Sequence, residues 1–271
     1  MWLINGSAAN QLAVSDRAVS FGDGCFTTLQ LRKGRPLLWE YHAERLITTS
    51  RALLLKAPDL ALIHQELCDL ASLQGAEQLC GKVVLTRGSG ARGYSLQGCE
   101  HPTRIVSIHD YPAVYASWQH EGIVLAVCHG RIGHSSLLAA LKTLNRLEQV
   151  LLKAELEQRG ACEGVVLDER GIVVEGVTAN LFWRHDSVVY TPDLQGTGIK
   201  GVMRAWVMAT LAKFGIECRE VQAGLPELMR ADELFMTNAL MEIVPVRGIE
   251  DVRYNDYSLA RQLQATFEQT T

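Results

Sequence analysis

The chain has 271 residues and a net charge of −4, with 48% apolar and 21% charged residues. That length suits one large domain or two modest ones with a substantial core, and the composition is that of an ordinary globular protein. Without a basic excess or a charged tail the chain is not expected to bind nucleic acid, and its apolar runs are too short to span a bilayer.

In chain order, Met1-Trp2-Leu3-Ile4-Asn5-Gly6 reads as a strand and a turn, without the basic start and long apolar region of a signal peptide. A cytoplasmic location is expected. The seven cysteines are odd in number and include no Cys-x-x-Cys pair, so reduced thiols are expected. The eight histidines show no metal-ligand spacing, and no metal site is expected.

Cys25 to Leu31 and Pro36 to Trp39 flank Lys33-Gly34-Arg35 as a hairpin. Alternation turns Phe26 and Thr28 to one face of the first strand. That ring and hydroxyl could line a pocket or simply finish a half-buried strand. Helices follow from about Tyr41 to Leu55 and from Leu60 to Leu73, the second with Leu60, Ile63, Leu67 and Leu70 at helical spacing. Strands at Lys82–Thr86 and Arg104–Ile108 enclose a polar loop. Its glycine-rich part, Arg87-Gly88-Ser89-Gly90-Ala91-Arg92-Gly93-Tyr94, is either a lid carrying an arginine to a carboxylate or a solvated surface loop.

Asp110 to Ser117 breaks the pattern and reads as a linker. The expected organisation is a small α/β domain over residues 1–109, a linker over 110–117 and a larger domain over 118–271. The larger domain begins with a strand from Ile123 to Cys128, a helix from Thr143 to Gln158 and a strand from Gly164 to Leu167. The turn Asp168-Glu169-Arg170-Gly171 leads back into Ile172–Glu175, and Asn180–Trp183 pairs with Val188–Tyr190. Two helices and short strands complete the chain. Strands outnumber clean strand–helix–strand units, so the fold class is mixed α/β or α+β rather than a doubly wound sheet.

Three segments carry potential chemistry. Lys142 stands where the apolar run Leu138-Ala139-Ala140-Leu141 turns into a helical pattern. A desolvated amine loses its proton more readily, and a neutral amine condenses with an aldehyde. Glu175 lies in the apolar stretch Val173-Val174-Glu175-Gly176, where a carboxylate is costly unless paired; a pyridinium N–H and a basic side chain are both suitable partners. Gly198-Ile199-Lys200-Gly201-Val202-Met203-Arg204 precedes a helical pattern, Arg204 to Phe214. Its first N–H groups could hold an anion, or it could be a flexible loop entering a helix. An imine-forming amine, a carboxylate and an anion cradle are together what pyridoxal phosphate requires.

Five motifs in order resemble the fold-type IV pyridoxal-phosphate enzymes. They are Phe21-Gly22-Asp23-Gly24, His42-Ala43-Glu44-Arg45-Leu46, Leu141-Lys142-Thr143-Leu144-Asn145, Glu175 through Phe182, and Gly201-Val202-Met203-Arg204. The family includes branched-chain aminotransferases, D-amino acid transaminases and carbon–oxygen lyases, and the resemblance runs from Asn5 to about Val246. It implies a two-domain fold with mixed, largely antiparallel sheets and a homodimer. Leu12–Ala18, Arg87–Ser95 and Leu144–Leu151 resemble the lyase branch, whose members eliminate pyruvate from 4-amino-4-deoxychorismate to give 4-aminobenzoate. The alternative is an aminotransferase for D- or branched-chain amino acids on the same scaffold. Phe26 stands where the D-amino acid transaminase pattern has tyrosine, and Tyr94 where it has histidine.

Carried over by position, the resemblance implies that Lys142 bonds to the cofactor aldehyde and that Glu175 keeps the pyridine nitrogen protonated. Arg45 and the backbone N–H groups of Val202 and Met203 would bind the phosphate. Thr178, Ala179 and Asn180 would line the cofactor, Ile199 would pack on its ring, and Asn238 would lie near the phosphate or the substrate. Thr28 would serve catalysis beside the lysine. Arg92, Phe26 and Tyr94 would contact the substrate, Arg92 through its carboxylate.

Overall fold

The computed structural model describes residues 1–90 and 92–270; Ala91, within the glycine-rich loop, lies outside the described residues. The chain divides into two compact units. One is Met1–Pro112 together with Lys142–Asn145, and the other is Ala113–Leu141 together with Arg146–Thr271.

The first unit contains β1 (Trp2–Ile4), β2 (Ser7–Ala8), α1 (Arg17–Phe21), β3 (Gly24–Arg32), β4 (Arg35–Pro36), α2 (Trp39–Ala52), α3 (Leu60–Gln74), β5 (Gln78–Thr86) and β6 (Thr103–Asp110). Its sheet runs β2-β1-β6-β5-β3-β4 and is antiparallel throughout. The β3–β4 hairpin turns on Lys33 and Gly34, both at positive φ (51° and 78°), the backbone that matches the twist of two tightly joined strands. Its second arm is shorter than expected. Leu38 is left-handed (φ 51°) and Trp39 already opens α2. Helix α3 starts where Asp59 accepts from Leu62 N–H and stops at left-handed Gly75. Its face of Ile63, Leu67 and Leu70 packs with Leu46 of α2 onto Leu29, Leu31, Val83, Val106 and Ile108 of the sheet. Burial of that sheet face, at roughly 25 cal/mol per Å² of apolar surface, drives the unit's assembly. The opposite face carries half-buried Phe26 and Thr28.

The second unit contains α4 (Val114–Glu121), β7 (Ile123–Ile132), α5 (Leu147–Gln158), β8 (Gly164–Asp168), β9 (Val173–Gly176), β10 (Asn180–His185) and β11 (Val188–Pro192). It continues with α6 (Val202–Lys213), β12 (Cys218–Val221), α7 (Leu225–Met229), β13 (Glu233–Asn238), β14 (Glu242–Ile249), β15 (Val252–Arg253) and α8 (Ser258–Thr270). The sheet runs β12-β11-β10-β13-β14-β7-β8-β9, with β15 on β14. Its parallel pairs are β11/β12, β14/β7 and β7/β8, so the sheet is mixed. Trp183, Leu181, Leu234, Met236 and Val244 build its main core.

A second expectation is corrected. A helix from Thr143 is replaced by non-helical backbone over Lys142–Asn145 with a bridge at Thr143, and α5 begins only at Leu147. The segment lies along the start of β3. Phe26 N–H donates to the Lys142 carbonyl (3.1 Å), Leu144 N–H donates to the Gly24 carbonyl (3.0 Å), and Cys25 bridges Thr143. Pairing these backbone groups in the sheet satisfies them where Thr143 is wholly buried. A helical pattern in the side chains cannot outweigh that.

Candidate active site

In the first unit, the edge pairing of Lys142 with β3 sets its amine against the same strand. Lys142 Nζ stands over the Phe26 ring, 4.6 Å from its centroid. Lys82 Nζ reaches the same ring at 5.1 Å. Lys82 is the direct register partner of Thr28, so the two side chains leave the sheet on one face. Two amines, an aromatic ring and a hydroxyl thus share one surface. Behind them, Thr27 and His42 Nδ1 lie 2.7 Å apart, and Arg45 Nη1 donates to Thr27 Oγ1 (3.5 Å). Burial, then the charges of Arg45 and Lys142, hold His42 well below the usual imidazole range, so it is neutral at physiological pH. Burial lowers the Arg45 guanidinium to about 10, which leaves it a cation at neutral pH.

Arg92 and Tyr94 are exposed on the glycine-rich loop. The Tyr94 ring meets Phe21 at 5.6 Å. Arg17 Nη1 donates to the Gly93 carbonyl at 2.9 Å and Arg17 Nε to Asp23 at 2.8 Å. Arg87 also binds Asp23, through Nε and Nη2 (2.7 and 2.9 Å). Burial raises the Asp23 carboxyl, but the hydrogen bonds from Arg87 and Arg17 prevail and leave it below its ordinary value. The base of the loop is therefore anchored even though Arg92 and Tyr94 are in solvent.

In the second unit, Glu175, Asn180 and Ile199 are joined by hydrogen bonds, while Lys142 and Arg45 belong to the first unit. Glu175, 5% exposed, receives the Ile199 N–H on Oε2 (2.9 Å), and Asn180 Nδ2 lies 3.4 Å from the same oxygen. Asn180 Nδ2 also donates to the Ile199 carbonyl (2.8 Å). Ala140 bridges Ile199, its N–H on the Gly198 carbonyl (3.0 Å) and its carbonyl receiving Lys200 N–H (3.2 Å). Gly201 caps α6, and a Cβ there would lie 2.0 Å from Asn180 Oδ1. Glycine is required by this close approach alone, since its φ of −67° suits any residue. Val202 and Met203 follow in the first turn of α6, whose N–H groups have no intrahelical partner.

Thr178 is fixed by Glu163. This 1%-exposed carboxylate accepts from Val177 N–H (2.8 Å), Thr178 N–H (3.1 Å) and Thr178 Oγ1 (2.5 Å). Burial pushes the Glu163 carboxyl up, against those hydrogen bonds. Asn238 Nδ2 donates to the Thr178 carbonyl (3.1 Å), and its Oδ1 accepts from Leu240 and Met241 N–H. Ala179 receives the Gly176 N–H (2.6 Å), which closes the turn between β9 and β10.

Sequence reasoning missed Lys82, His42, Glu163 and Thr237. Lys82 had a signal, a lone charge in an apolar strand. His42 lies inside the motif His42-Ala43-Glu44-Arg45-Leu46 without an assigned role, and Glu163 and Thr237 carry no local signal. Thr237 Oγ1 is wholly buried with no hydrogen-bond partner. Among the described residues no group of three His, Cys, Asp or Glu could hold a metal, and no helix is long and apolar enough to cross a membrane.

A lysine paired through its carbonyl with β3 lies in the unit with the antiparallel sheet, and a buried carboxylate oriented beside a helix start lies in the unit with the mixed sheet. The chain belongs to the amino-transferase class IV family, whose model matches residues 24–249. It is 37% identical to the aminodeoxychorismate lyase of Vibrio harveyi over 249 residues, 92% of this chain and 91% of that protein. It is 30% identical to the aminodeoxychorismate lyase of Bacillus subtilis over 91% of this chain and 84% of that one. The crystal structure of 4-amino-4-deoxychorismate lyase from Pseudomonas aeruginosa superposes with a TM-score of 0.93 at 37% identity, covering 99% of this chain and 98% of that one.

Proposed function

We infer that the chain is a pyridoxal-phosphate-dependent aminodeoxychorismate lyase, eliminating pyruvate from 4-amino-4-deoxychorismate to leave 4-aminobenzoate. The observation that carries it is geometric. Glu175 is buried, oriented by Ile199 N–H and Asn180, and next along the chain from that oriented loop is a helix start where Gly201 lies close against the Asn180 side chain. Such a carboxylate suits a pyridinium N–H, and such a helix start suits a phosphate. The names of the similar lyases support the substrate.

Bound pyridoxal phosphate supplies an electrophilic aldehyde and a protonated ring that takes up an electron pair. Lys142 would hold the cofactor by its aldehyde, and its amine would take the proton from the substrate carbon that bears the amino group. Glu175 keeps the pyridine nitrogen protonated. Arg45 and the N–H groups of Val202 and Met203 bind the phosphate. Thr178, Ala179 and Asn180 line the cofactor, Ile199 packs on its ring, and Asn238 holds the turn beside Thr178. The ether carbon–oxygen bond breaks as the six-membered ring becomes aromatic. The proton taken up by Lys142 would pass through the Thr28 hydroxyl to the departing enolpyruvyl oxygen, and Phe26 and Tyr94 would contact the substrate. Arg92 serves one substrate carboxylate, and Lys82, register partner of Thr28, suits a second.

The chain acts as a homodimer in the cytoplasm. On α5, Leu147, Val150 and Leu151 are 59–71% exposed, an apolar surface of the kind a second subunit covers.

The test is product identification. Purified protein given 4-amino-4-deoxychorismate and pyridoxal phosphate should release 4-aminobenzoate and pyruvate in equal amounts. Borohydride reduction and peptide mapping should find the pyridoxyl group on Lys142. Amino transfer to 2-oxo acids without aromatic product overturns the lyase reading in favour of an aminotransferase.

A further inference from the structure

We propose that Thr178 Oγ1 is the acceptor that receives the substrate's amino group, and that Glu163 is the positioning residue that turns the Thr178 hydroxyl proton inward. The assignment rests on the reading above that Thr178 borders the cofactor and that 4-amino-4-deoxychorismate is the substrate.

Thr178 stands exposed in the turn between β9 and β10, bonded to a carboxylate that is only 1% exposed. Four donors reach that carboxylate. Gly164 N–H (2.9 Å) and Val177 N–H (2.8 Å) meet Glu163 Oε1, and Thr178 N–H (3.1 Å) and Thr178 Oγ1 (2.5 Å) meet Oε2. None of the four is a cation, so hydrogen bonds alone hold the buried charge. An ionised carboxylate only accepts, whereas a hydroxyl has one proton and two lone pairs. The single hydroxyl proton of Thr178 is therefore directed at Glu163. The backbone of the residue is engaged as well, its N–H by the same carboxylate and its carbonyl by Asn238 Nδ2 (3.1 Å). The N–H groups of Gly176 and Val177 go to the Ala179 carbonyl and to Glu163. At Thr178 the turn offers a ligand lone pairs, backed by a buried negative charge.

Such a surface takes a hydrogen-bond donor and disfavours an anion. The substrate's two carboxylates are ionised at neutral pH and its ether oxygen only accepts, so its amino group carries its only polar hydrogens. Of the cofactor's groups, the pyridinium N–H belongs to Glu175 and the phosphate is an acceptor. The substrate's amino group is the partner that matches. Val177 and Ala179, on either side of Thr178, have no side-chain acceptor.

The test uses Thr178→Val, which keeps the branched shape and deletes the hydroxyl, and Thr178→Ser, which keeps the hydroxyl. In the enzyme supplied with pyridoxal phosphate, Thr178→Val should lower kcat/KM for 4-amino-4-deoxychorismate about 10–100-fold, the span for one hydrogen bond to a charged group, with most of the loss in KM. Thr178→Ser should restore it. Equilibrium titration of apoprotein should show the affinity for pyridoxal phosphate changing far less than KM. Independently of turnover, the infrared difference between wild-type and Glu163→Gln apoprotein should contain the two stretching bands of an ionised carboxylate. A protonated-carboxyl carbonyl band in their place means that the Thr178 proton points outward, and overturns the proposal. Unchanged KM in Thr178→Val also overturns it, as does a loss of pyridoxal phosphate affinity equal to the rise in KM, which assigns the contact to the cofactor's ring hydroxyl. Wild type that releases no 4-aminobenzoate overturns the parent reading together with this one, so the two failures are distinguishable.

Discussion

Replacing Gly201 by alanine tests the architecture of the second unit's site in one atom. The added Cβ would sit 2.0 Å from Asn180 Oδ1, 3.2 Å from its Cγ and 3.4 Å from Arg204 Cβ. The backbone at −67°, 144° accepts alanine, so the cost is contact alone. Asn180 is 5% exposed and must rotate, giving up its bond to the Ile199 carbonyl and its approach to Glu175. Overpacking costs about 1–3 kcal/mol. A buried amide losing its partner adds about 1–3 kcal/mol. An expected loss of about 2–6 kcal/mol follows, measured by urea unfolding of apoprotein, together with at least about tenfold weaker uptake of pyridoxal phosphate as Glu175 loses its orientation. In an Asn180→Ala background the same change should cost under about 1 kcal/mol, a coupling read by a double-mutant cycle. A Gly201→Ala protein within about 0.5 kcal/mol of wild type, or strict additivity with Asn180→Ala, refutes the reasoning.

Glu175→Gln should slow turnover about 10–100-fold, since a charge-assisted hydrogen bond is replaced by a neutral one; unchanged kcat in steady-state release of 4-aminobenzoate removes the residue from its role. Thr28→Ala should lower kcat by about 100-fold, the low end for a positioned proton donor, while the absorption spectrum of bound cofactor stays as in wild type. Asp168 shows the pH dependence. Burial raises it, but His134, Arg170 and the backbone N–H groups of Ile172 and Arg170 prevail and hold it down to about 2, from 3.8. A depressed carboxylate stabilises the fold above its unfolded value, and that contribution is lost as pH falls from about 4 to about 2. The difference in urea midpoint between wild type and Asp168→Asn should therefore be constant above pH ~5 and shrink below pH ~4; a difference independent of pH would contradict it.

Local patterns were legible without a structure. The Lys33-Gly34 turn, the Leu60-Ile63-Leu67-Leu70 face of α3 and the Glu175–Asn180 turn depend on residues within a few positions of each other. Turn chemistry and helical spacing act at that range. The order of the motifs marked the lysine, the carboxylate and the anion cradle, and residues of the last two groups meet around Glu175. Tertiary structure alone decided that Lys142 lies outside a helix and beside Phe26, because the competing hydrogen bonds come from β3, more than a hundred positions earlier. It alone placed Lys82 opposite Thr28 and Thr237 opposite Asn180. Cross-strand neighbours are set by sheet register, and register is chosen by burial of a whole face rather than by any one residue.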